Sequence, residues 1–461
     1  MTHVIDSEFY KHVYATDEMR DVFAPDKRFQ RWLDIRSTLA SIQADFGLIS
    51  KESAKDIAQN SRLVKLDLPV AQSNVFNPGK AVSTLFTSVE QKCAQENRGN
   101  INLGVVAQDI IDTAAVLEIK DAYMIVLRDL LEIEGILIPL IEKFKASPMA
   151  GRTHKQHGPP ITIGFKFAGW AAETRREIER MKDMSKRIFC GTLHGRSGSM
   201  LEGGDKAYEI YQALMEKTGL NASPTGLGSS RDTIGEFQVI IGMVAGTIGR
   251  IVNEIYESSG SELSELHEPL GRDYVGSSAM PHKRNAEVCA FAVAQCRIIQ
   301  QNSALGLQSM MVEHERDTRA QGLDWHNLPE TCVLMARVLA ATKQTLNGID
   351  VFEENIMRNL DALDGMLFSE ALMFHLAPKI GKQTAHDIIL FACKEAHETQ
   401  TPIKQVLLAH SDVAKVATEA DFDEVMVYGK HIGKCVEQSE DVLRIAKSAS
   451  VNDHEYLQVQ S

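Results

Sequence analysis

Residues 112–145, DTAAVLEIKDAYMIVLRDLLEIEGILIPLIEKFK, are the strongest indication of the fold class. Good helix formers dominate the stretch, and its apolar side chains cover most faces of a helix. A helix that is apolar nearly all round is buried inside a bundle. The sequence therefore predicts a long buried helix, with a kink near its end at Pro139.

Further long helices are predicted on both sides of this stretch, whereas strand signals are rare. One covers residues 26–46, and the others lie at about 161–188, 232–264, 286–312 and 329–349. Five long helices in the middle of a chain predict a helical bundle. We expect an all-α protein with three helical domains: an N-terminal domain (1–110), a central long five-helix bundle (111–350) and a C-terminal domain (351–461).

The composition argues against several classes of function. The 461-residue chain has a net charge of −13 at pH 7, whereas nucleic-acid binding favours a basic surface. The sequence has no run of about 20 apolar residues that would predict a membrane span, and its first residues lack the features of a secretory signal. Seven scattered cysteines without a CxxC pair are typical of reduced thiols. We expect a cytoplasmic protein that binds neither nucleic acid nor membrane.

The segment Gly276–Asn285, GSSAMPHKRN, contains residue types suited to proton abstraction. A serine such as Ser277 acts as a base only where its oxyanion is stabilised, and the Lys283 ammonium or a helix N-terminus can do this. Asn285 is predicted to be the N-cap of a helix that begins at Ala286. The alternative interpretation is a flexible Gly-Ser loop followed by a solvated basic cluster.

These ten residues together resemble the signature loop of the fumarase/aspartase superfamily, G-S-S-x-M-P-x-K-x-N, and they match every fixed position. The resemblance implies a small N-terminal domain, a central five-helix bundle and a small helical C-terminal domain. It also implies a homotetramer whose active sites are built from segments of three different subunits.

A second segment, GRTHKQHGPP at residues 151–160, joins two of the predicted long helices. A histidine there can donate or accept a proton near neutral pH, although a lone loop histidine is more often a capping or surface residue. The segment resembles the G-R-T-H-x-Q region of the same superfamily. The resemblance implies that Thr153 binds a substrate carboxylate and that His154 donates a proton to the leaving group or helps to orient it.

A third segment begins at Asn102, NLGVVAQDIIDT, and resembles the family's first conserved region, H-x-G-x-T-S-x-D-x-x-D-T. Its glycine, both aspartates and final threonine match, but Asn102, Val106 and Ala107 replace a histidine, a threonine and a serine. Valine and alanine side chains donate no hydrogen bonds. A succinyl-type substrate bound in the usual way is therefore expected to fit poorly. The donors left for a carboxylate are Asn102, Gln108, Arg316 and the backbone.

Two further segments distinguish branches of the superfamily. Residues 230–236 resemble the Q-R-D-x-x-A-E helix start shared by adenylosuccinate lyases and 3-carboxy-cis,cis-muconate cycloisomerases. Trp325 lies where adenylosuccinate lyases have an arginine that helps to bind the nucleotide phosphate, and this segment resembles the cycloisomerase branch. His154, which cycloisomerases usually lack, favours lyase chemistry.

The sequence therefore predicts a lyase that performs β-elimination on a small carboxylate substrate, with no metal and no organic cofactor. Ser277 removes a proton from the carbon next to a carboxylate. Lys283, Asn285 and the helix N-terminus stabilise the resulting aci-carboxylate, and His154 assists departure of an amine or oxygen leaving group. A muconate-type cycloisomerase, with the same proton chemistry and no leaving group, is the first alternative. A structural homologue without activity, like the δ-crystallins, is the second.

Overall fold

The computed structural model describes residues 3–66, 78–270 and 279–460, and helices dominate these ranges. The all-α class with a central bundle is confirmed. The α-helices, numbered α1 to α17, are Lys11–Tyr14, Asp17–Val22, Pro25–Asp45, Lys51–Asn60, Pro78–Lys92, Ala107–Phe144, Ile163–Ile188, Ala207–Thr218, Asp232–Ser258, Glu287–Gln308, Thr318–Asn347, Glu353–Asp361, Ser369–Ile380, Lys382–Thr399, Ile403–Ala409, Glu419–Val425 and Cys435–Gln460.

Six short strands form three two-stranded sheets within the described residues. The antiparallel hairpin β1–β2 is the longest of them. The strands, β1 to β6, are Pro148–Thr153, Gln156–Thr162, Cys190–Gly191, Asn221–Ala222, Leu266–His267 and Asp350–Val351. β3 pairs with β4 in parallel, and β5 pairs with β6 antiparallel.

Buried apolar side chains form three clusters. The largest lies inside the five long helices α6, α7, α9, α10 and α11, and two smaller clusters lie in the N-terminal and C-terminal parts. The last helix, α17, returns to the bundle and packs on α6 and α7. The boundaries at residues 110 and 350 stay predictions.

The bundle helices alternate in direction. Thr113, near the start of α6, donates to the carbonyl of Thr192, which follows α7, at 2.8 Å. Arg231, just before α9, donates to Asp324 near the start of α11 at 2.6 Å. α9 and α10 are antiparallel, because glycines near the start of one helix face side chains near the end of the other. The starts of α6, α9 and α11 therefore lie with the ends of α7 and α10, and we call this the Gln108 end.

The opposite end of the bundle contains the starts of α7 and α10. Glu268, after α9, accepts from the amide of Val288 in the first turn of α10 at 3.2 Å. Phe352, after α11, donates from its amide to the carbonyl of Glu265 at 3.0 Å. Hairpin β1–β2 also lies here, since it joins the end of α6 to the start of α7. We call this the His154 end.

Several predicted boundaries were wrong. α6 begins at Ala107, five residues before its predicted start, and α9 ends at Ser258, six residues before its predicted end. α11 begins at Thr318, eleven residues before the predicted start, and Pro329 lies inside it. The residue before α10 is Ala286, so Asn285 is not the N-cap, and its side-chain amide donates to Glu287 instead. Pro139 lies inside α6, as predicted.

One helix, α9, is long and apolar enough to cross a membrane by length and composition alone. It packs against α7, α10 and α11 inside the bundle. This position explains its apolar composition, because a core helix of a bundle is apolar on several faces.

Candidate active site

Thr153 and His154 lie at the tip of hairpin β1–β2. The turn is formed by His154 and Lys155, whose φ angles are +52° and +63°. Two successive left-handed residues are typical of the tight turns that match the twist of a hairpin. Thr153 and His154 are exposed in the single chain, so the imidazole projects where it can reach a bound molecule.

The base of this hairpin is tightly packed. A Cβ atom on Gly151 would lie 2.5 Å from the carbonyl oxygen of Pro159. His157 pairs with Arg152 across the hairpin, and burial lowers the pKa of His157, as does the Arg152 charge, while the Glu265 charge opposes both. The tip is therefore presented on a rigid base.

Lys283 and Asn285 lie at the same end of the bundle, exposed just before α10. Between them, Arg284 donates to the carbonyl of Glu268 and to Asp350, both at 2.5 Å. The predicted base, Ser277, lies outside the described residues, so its position relative to His154 stays a prediction.

The predicted role of the α10 N-terminus needs correction. The Glu268 carboxylate accepts from the amides of Val288 and Cys289 at 3.2 and 2.9 Å, and Glu268 is only 9% exposed. These are two of the donors that a helix N-terminus normally offers to an anion. Because Glu268 occupies them and brings a negative charge, this terminus is a poor stabiliser of an aci-carboxylate.

Asn102, Gln108 and Arg316 lie at the other end of the bundle. Asn102 and Arg316 are exposed, and Gln108 is half-buried in the first turn of α6. The loop that precedes α9 approaches Arg316, since a Cβ atom on Gly228 would lie 2.9 Å from the carbonyl oxygen of Glu315. The structure therefore places these three predicted substrate-binding residues at one end.

The two aspartates beside Gln108 that match the family pattern, Asp109 and Asp112, have structural roles. Asp112 is buried and pairs with Arg231 at 3.2 Å. Burial raises the pKa of Asp112, while Arg231 and a hydrogen bond from Gln108 oppose the rise. Asp109 accepts from the amides of His194 and Val106 at 3.0 and 3.2 Å. It thereby fixes the start of α6 against the segment that follows α7.

Trp325 also has a structural position. Its ring lies 5.9 Å from the Trp32 ring and 4.7 Å under the Arg28 guanidinium, in the N-terminal apolar cluster. The side chain is partly buried there and lines a small cavity together with Arg28 and Trp32. The expectation that Trp325 disfavours a phosphate-bearing substrate stays a prediction.

One chain does not bring the two groups of predicted residues together. α6 has 38 residues, with Gln108 in its first turn and the His154 hairpin after its last. At about 1.5 Å per residue, the helix separates the two ends by roughly 54 Å. A small substrate spans a small fraction of this distance, so a site that uses both groups requires more than one chain.

Sequence reasoning missed Arg152, Glu265 and Glu268. Glu265 is fully buried and accepts from Arg152 at 2.8 and 2.5 Å. A pair of glutamates just before the signature loop was the available signal, but pairing over 113 positions cannot be inferred from one sequence. Among the described residues, no group of three or more His, Cys, Asp or Glu side chains is arranged to hold a metal ion.

Comparison with known proteins defines the class. Residues 11–300 match a family model described as "Lyase", and residues 365–442 match one described as "Adenylosuccinate lyase C-terminus". N-acetyl-S-(2-succino)cysteine lyase of Enterococcus italicus is 33% identical, over 96% of this chain and 97% of its own. Adenylosuccinate lyase of Pyrococcus abyssi is 34% identical, over 93% and 96%.

A solved structure agrees with these matches. The 3-carboxy-cis,cis-muconate lactonizing enzyme from Pseudomonas putida has a TM-score of 0.89 and 25% identity, covering 98% of this chain and 100% of its own. The fold and the matches are those of a helical lyase. The chain belongs to the fumarase/aspartase superfamily, in the branch of adenylosuccinate lyases and 3-carboxy-cis,cis-muconate cycloisomerases.

Proposed function

We propose that this protein is a lyase that catalyses cofactor-independent anti β-elimination from a carboxylate-bearing substrate. Ser277 removes the proton on the carbon next to the carboxylate, and Lys283 and Asn285 stabilise the resulting aci-carboxylate. The bond between the β-carbon and the leaving group then breaks, and His154 supplies the proton that the leaving group requires. The observation on which the proposal rests is full-length similarity to lyases together with every fixed position of the signature loop.

The active site is proposed to form between copies of the chain. His154, Lys283 and Asn285 lie at one end of the bundle, and Asn102 and Gln108 lie at the other. Two bundles packed antiparallel would bring opposite ends together, which supports the shared sites of a homotetramer.

Exposed apolar side chains on the bundle support this assembly. Met243 in α9 and Phe291, Ile298 and Leu307 in α10 are 41–50% exposed. Ile298 and Leu307 lie on opposite sides of α10, because nine residues correspond to two and a half helical turns. We propose that α10 contacts other copies of the chain on both of these sides.

The leaving group is proposed to be an amine or an oxygen, and the names of the relatives make sulfur a third candidate. The substrate names of two relatives contain a succinyl group, attached in one of them to sulfur. This favours a substituted succinate, although Val106 and Ala107 lack the family's hydroxyls. Asn102, Gln108 and backbone amides at the start of α6 are the donors proposed to bind its second carboxylate.

A cycloisomerase is the second candidate, favoured by the likeness to the muconate lactonizing enzyme. It would use Ser277 on a 3-carboxymuconate without expelling a leaving group. His154 favours the lyase, because only elimination needs a proton donor for a departing group.

A substrate panel followed by ultraviolet absorbance tests the proposal. It contains N-acetyl-S-(2-succino)cysteine, adenylosuccinate, argininosuccinate, malate, aspartate and 3-carboxy-cis,cis-muconate. We expect release of an unsaturated acid from at least one succinyl compound, and loss of that release in Ser277→Ala. Lactone formation alone would favour the cycloisomerase. If no panel compound reacts, and other acids with amine, ether or thioether leaving groups do not react either, the result would favour an inactive homologue.

A further inference from the structure

We infer that residues 265–268, between α9 and the signature loop, are the anchor segment that positions both catalytic segments of the His154 end. Glu265 holds the hairpin that bears His154, and Glu268 holds the residues around Lys283. These are positioning residues, because they contact the supports of the reacting groups. The inference deepens the proposed function and depends on it for its kinetic consequence.

Glu265 fixes the hairpin through Arg152. Both carboxylate oxygens accept from the guanidinium, at 2.8 and 2.5 Å, and the carboxylate is fully buried. Two parallel hydrogen bonds fix orientation as well as distance. Since Arg152 directly precedes Thr153 and His154, this pair sets where the hairpin tip points.

Glu268 fixes the other catalytic segment through two of its groups, the side-chain carboxylate and the backbone carbonyl. Its carboxylate accepts from the amides of Val288 and Cys289, and its carbonyl accepts from Arg284 at 2.5 Å. Arg284 lies between Lys283 and Asn285 in the chain. The contacts therefore hold the chain between the two proposed aci-carboxylate donors and just after them.

The anchor segment is itself held against the chain that follows α11. Leu266 and His267 pair with Val351 and Asp350 in the β5–β6 sheet. Asn359 in α12 donates to the Glu265 carboxylate at 2.8 Å. With these partners, both ends of the segment have fixed positions, and a shift of one catalytic segment is opposed by contacts to the other.

Rate constants are sensitive to such positions. A misplacement of about 1 Å at a reacting group can reduce the rate about 10²-fold. Loss of the Glu265 charge should therefore reduce kcat more than it raises KM, because Glu265 lies behind the hairpin rather than in contact with the substrate.

The test compares Glu265→Gln and Arg152→Lys with Glu134→Gln. The control is matched, because Glu134 also forms a buried pair with an arginine, Arg175, but between α6 and α7 inside the bundle. Each variant is assayed as the full-length protein on the panel compound that the wild type turns over. Melting temperature, oligomer size and hydrogen exchange of residues 149–157 and 280–289 are measured alongside.

We expect all three variants to melt earlier, since Glu265→Gln and Glu134→Gln each break a buried ion pair and Arg152→Lys loses its bidentate geometry. Glu265→Gln should lower kcat by about 10- to 100-fold, and Arg152→Lys should lower it less. In both variants, hydrogen exchange should be faster in the two catalytic segments. Glu134→Gln should retain kcat and the exchange pattern.

Equal kcat losses in Glu265→Gln and Glu134→Gln would overturn the inference, as would unchanged exchange in the two segments. If the wild type turned over no compound, the proposed function would fail by itself. The exchange result would still decide whether the anchor segment holds the two catalytic segments.

Discussion

A methyl group at Gly151 tests whether the hairpin geometry controls the reaction. In Gly151→Ala the new Cβ would lie 2.5 Å from the Pro159 carbonyl oxygen and 3.3 Å from Cγ2 of Ile161. Carbon–oxygen contacts in proteins are normally about 3.3–3.6 Å, so the two strands must separate by about 1 Å. We expect a stability loss of about 1–3 kcal/mol.

The separation should also affect catalysis, because Thr153 and His154 follow two and three residues later. Displacement on this scale should lower kcat about 10²-fold. Gly158→Ala is the matched control on the opposite strand, since its Cβ would lie 3.7 Å from the Gly151 carbonyl, an ordinary contact. The assay is kcat on the panel substrate together with the urea midpoint. Similar kcat values in the two variants would refute the reasoning.

Three further predictions follow from the sequence and the structure. Ser277→Ala should lower kcat by at least about 10² to 10⁴ with the oligomer intact, and retention of more than half the activity would show that another group is the base. Burial raises the pKa of Asp109 to about 6, above its unfolded value of about 3.9. The bound proton therefore stabilises the fold fully below the unfolded value, and about 3 kcal/mol should be lost as pH rises through 6. In urea titrations the wild type should lose about 3 kcal/mol more than Asp109→Asn as pH rises through this range. Val106→Thr with Ala107→Ser should tighten inhibition by fumarate or succinate, and unchanged inhibition constants would show that these side chains do not face the carboxylate.

The helical core could be predicted because its signal is local. α6 was expected at 112–145 and spans 107–144, since apolar residues on most faces indicate a buried helix wherever the partners lie. α11 was misjudged because Pro329 is typical of a first turn. In the structure it lies within the helix, which buried contacts stabilise on both sides.

Contacts between distant residues could not be predicted. Asn285 has a side chain suited to capping, yet the first amides of α10 bond to Glu268, about twenty residues earlier in the chain. The motif identified Trp325 as the residue that replaces an arginine of relatives, but it contained no sign that the ring packs on Trp32. The separation of the site residues into two groups also needs the helix directions, which no local pattern contains.

We propose that each active site combines the Gln108 end of one chain with the His154 end of another. Asn102→Asp and His154→Asn test it most directly, because these exposed residues lie at opposite ends of the bundle. Asn102→Asp places a negative charge beside the substrate carboxylate, so each variant alone should be inactive. The two are co-expressed with different tags, and tetramers that contain both are purified and assayed.

If equal amounts of the two variants assemble at random, about a quarter of the sites should have both residues intact. The mixed protein should then have about a quarter of wild-type activity. A site built within one chain would always lack one residue. No recovery in tetramers shown to contain both tags would contradict the shared site.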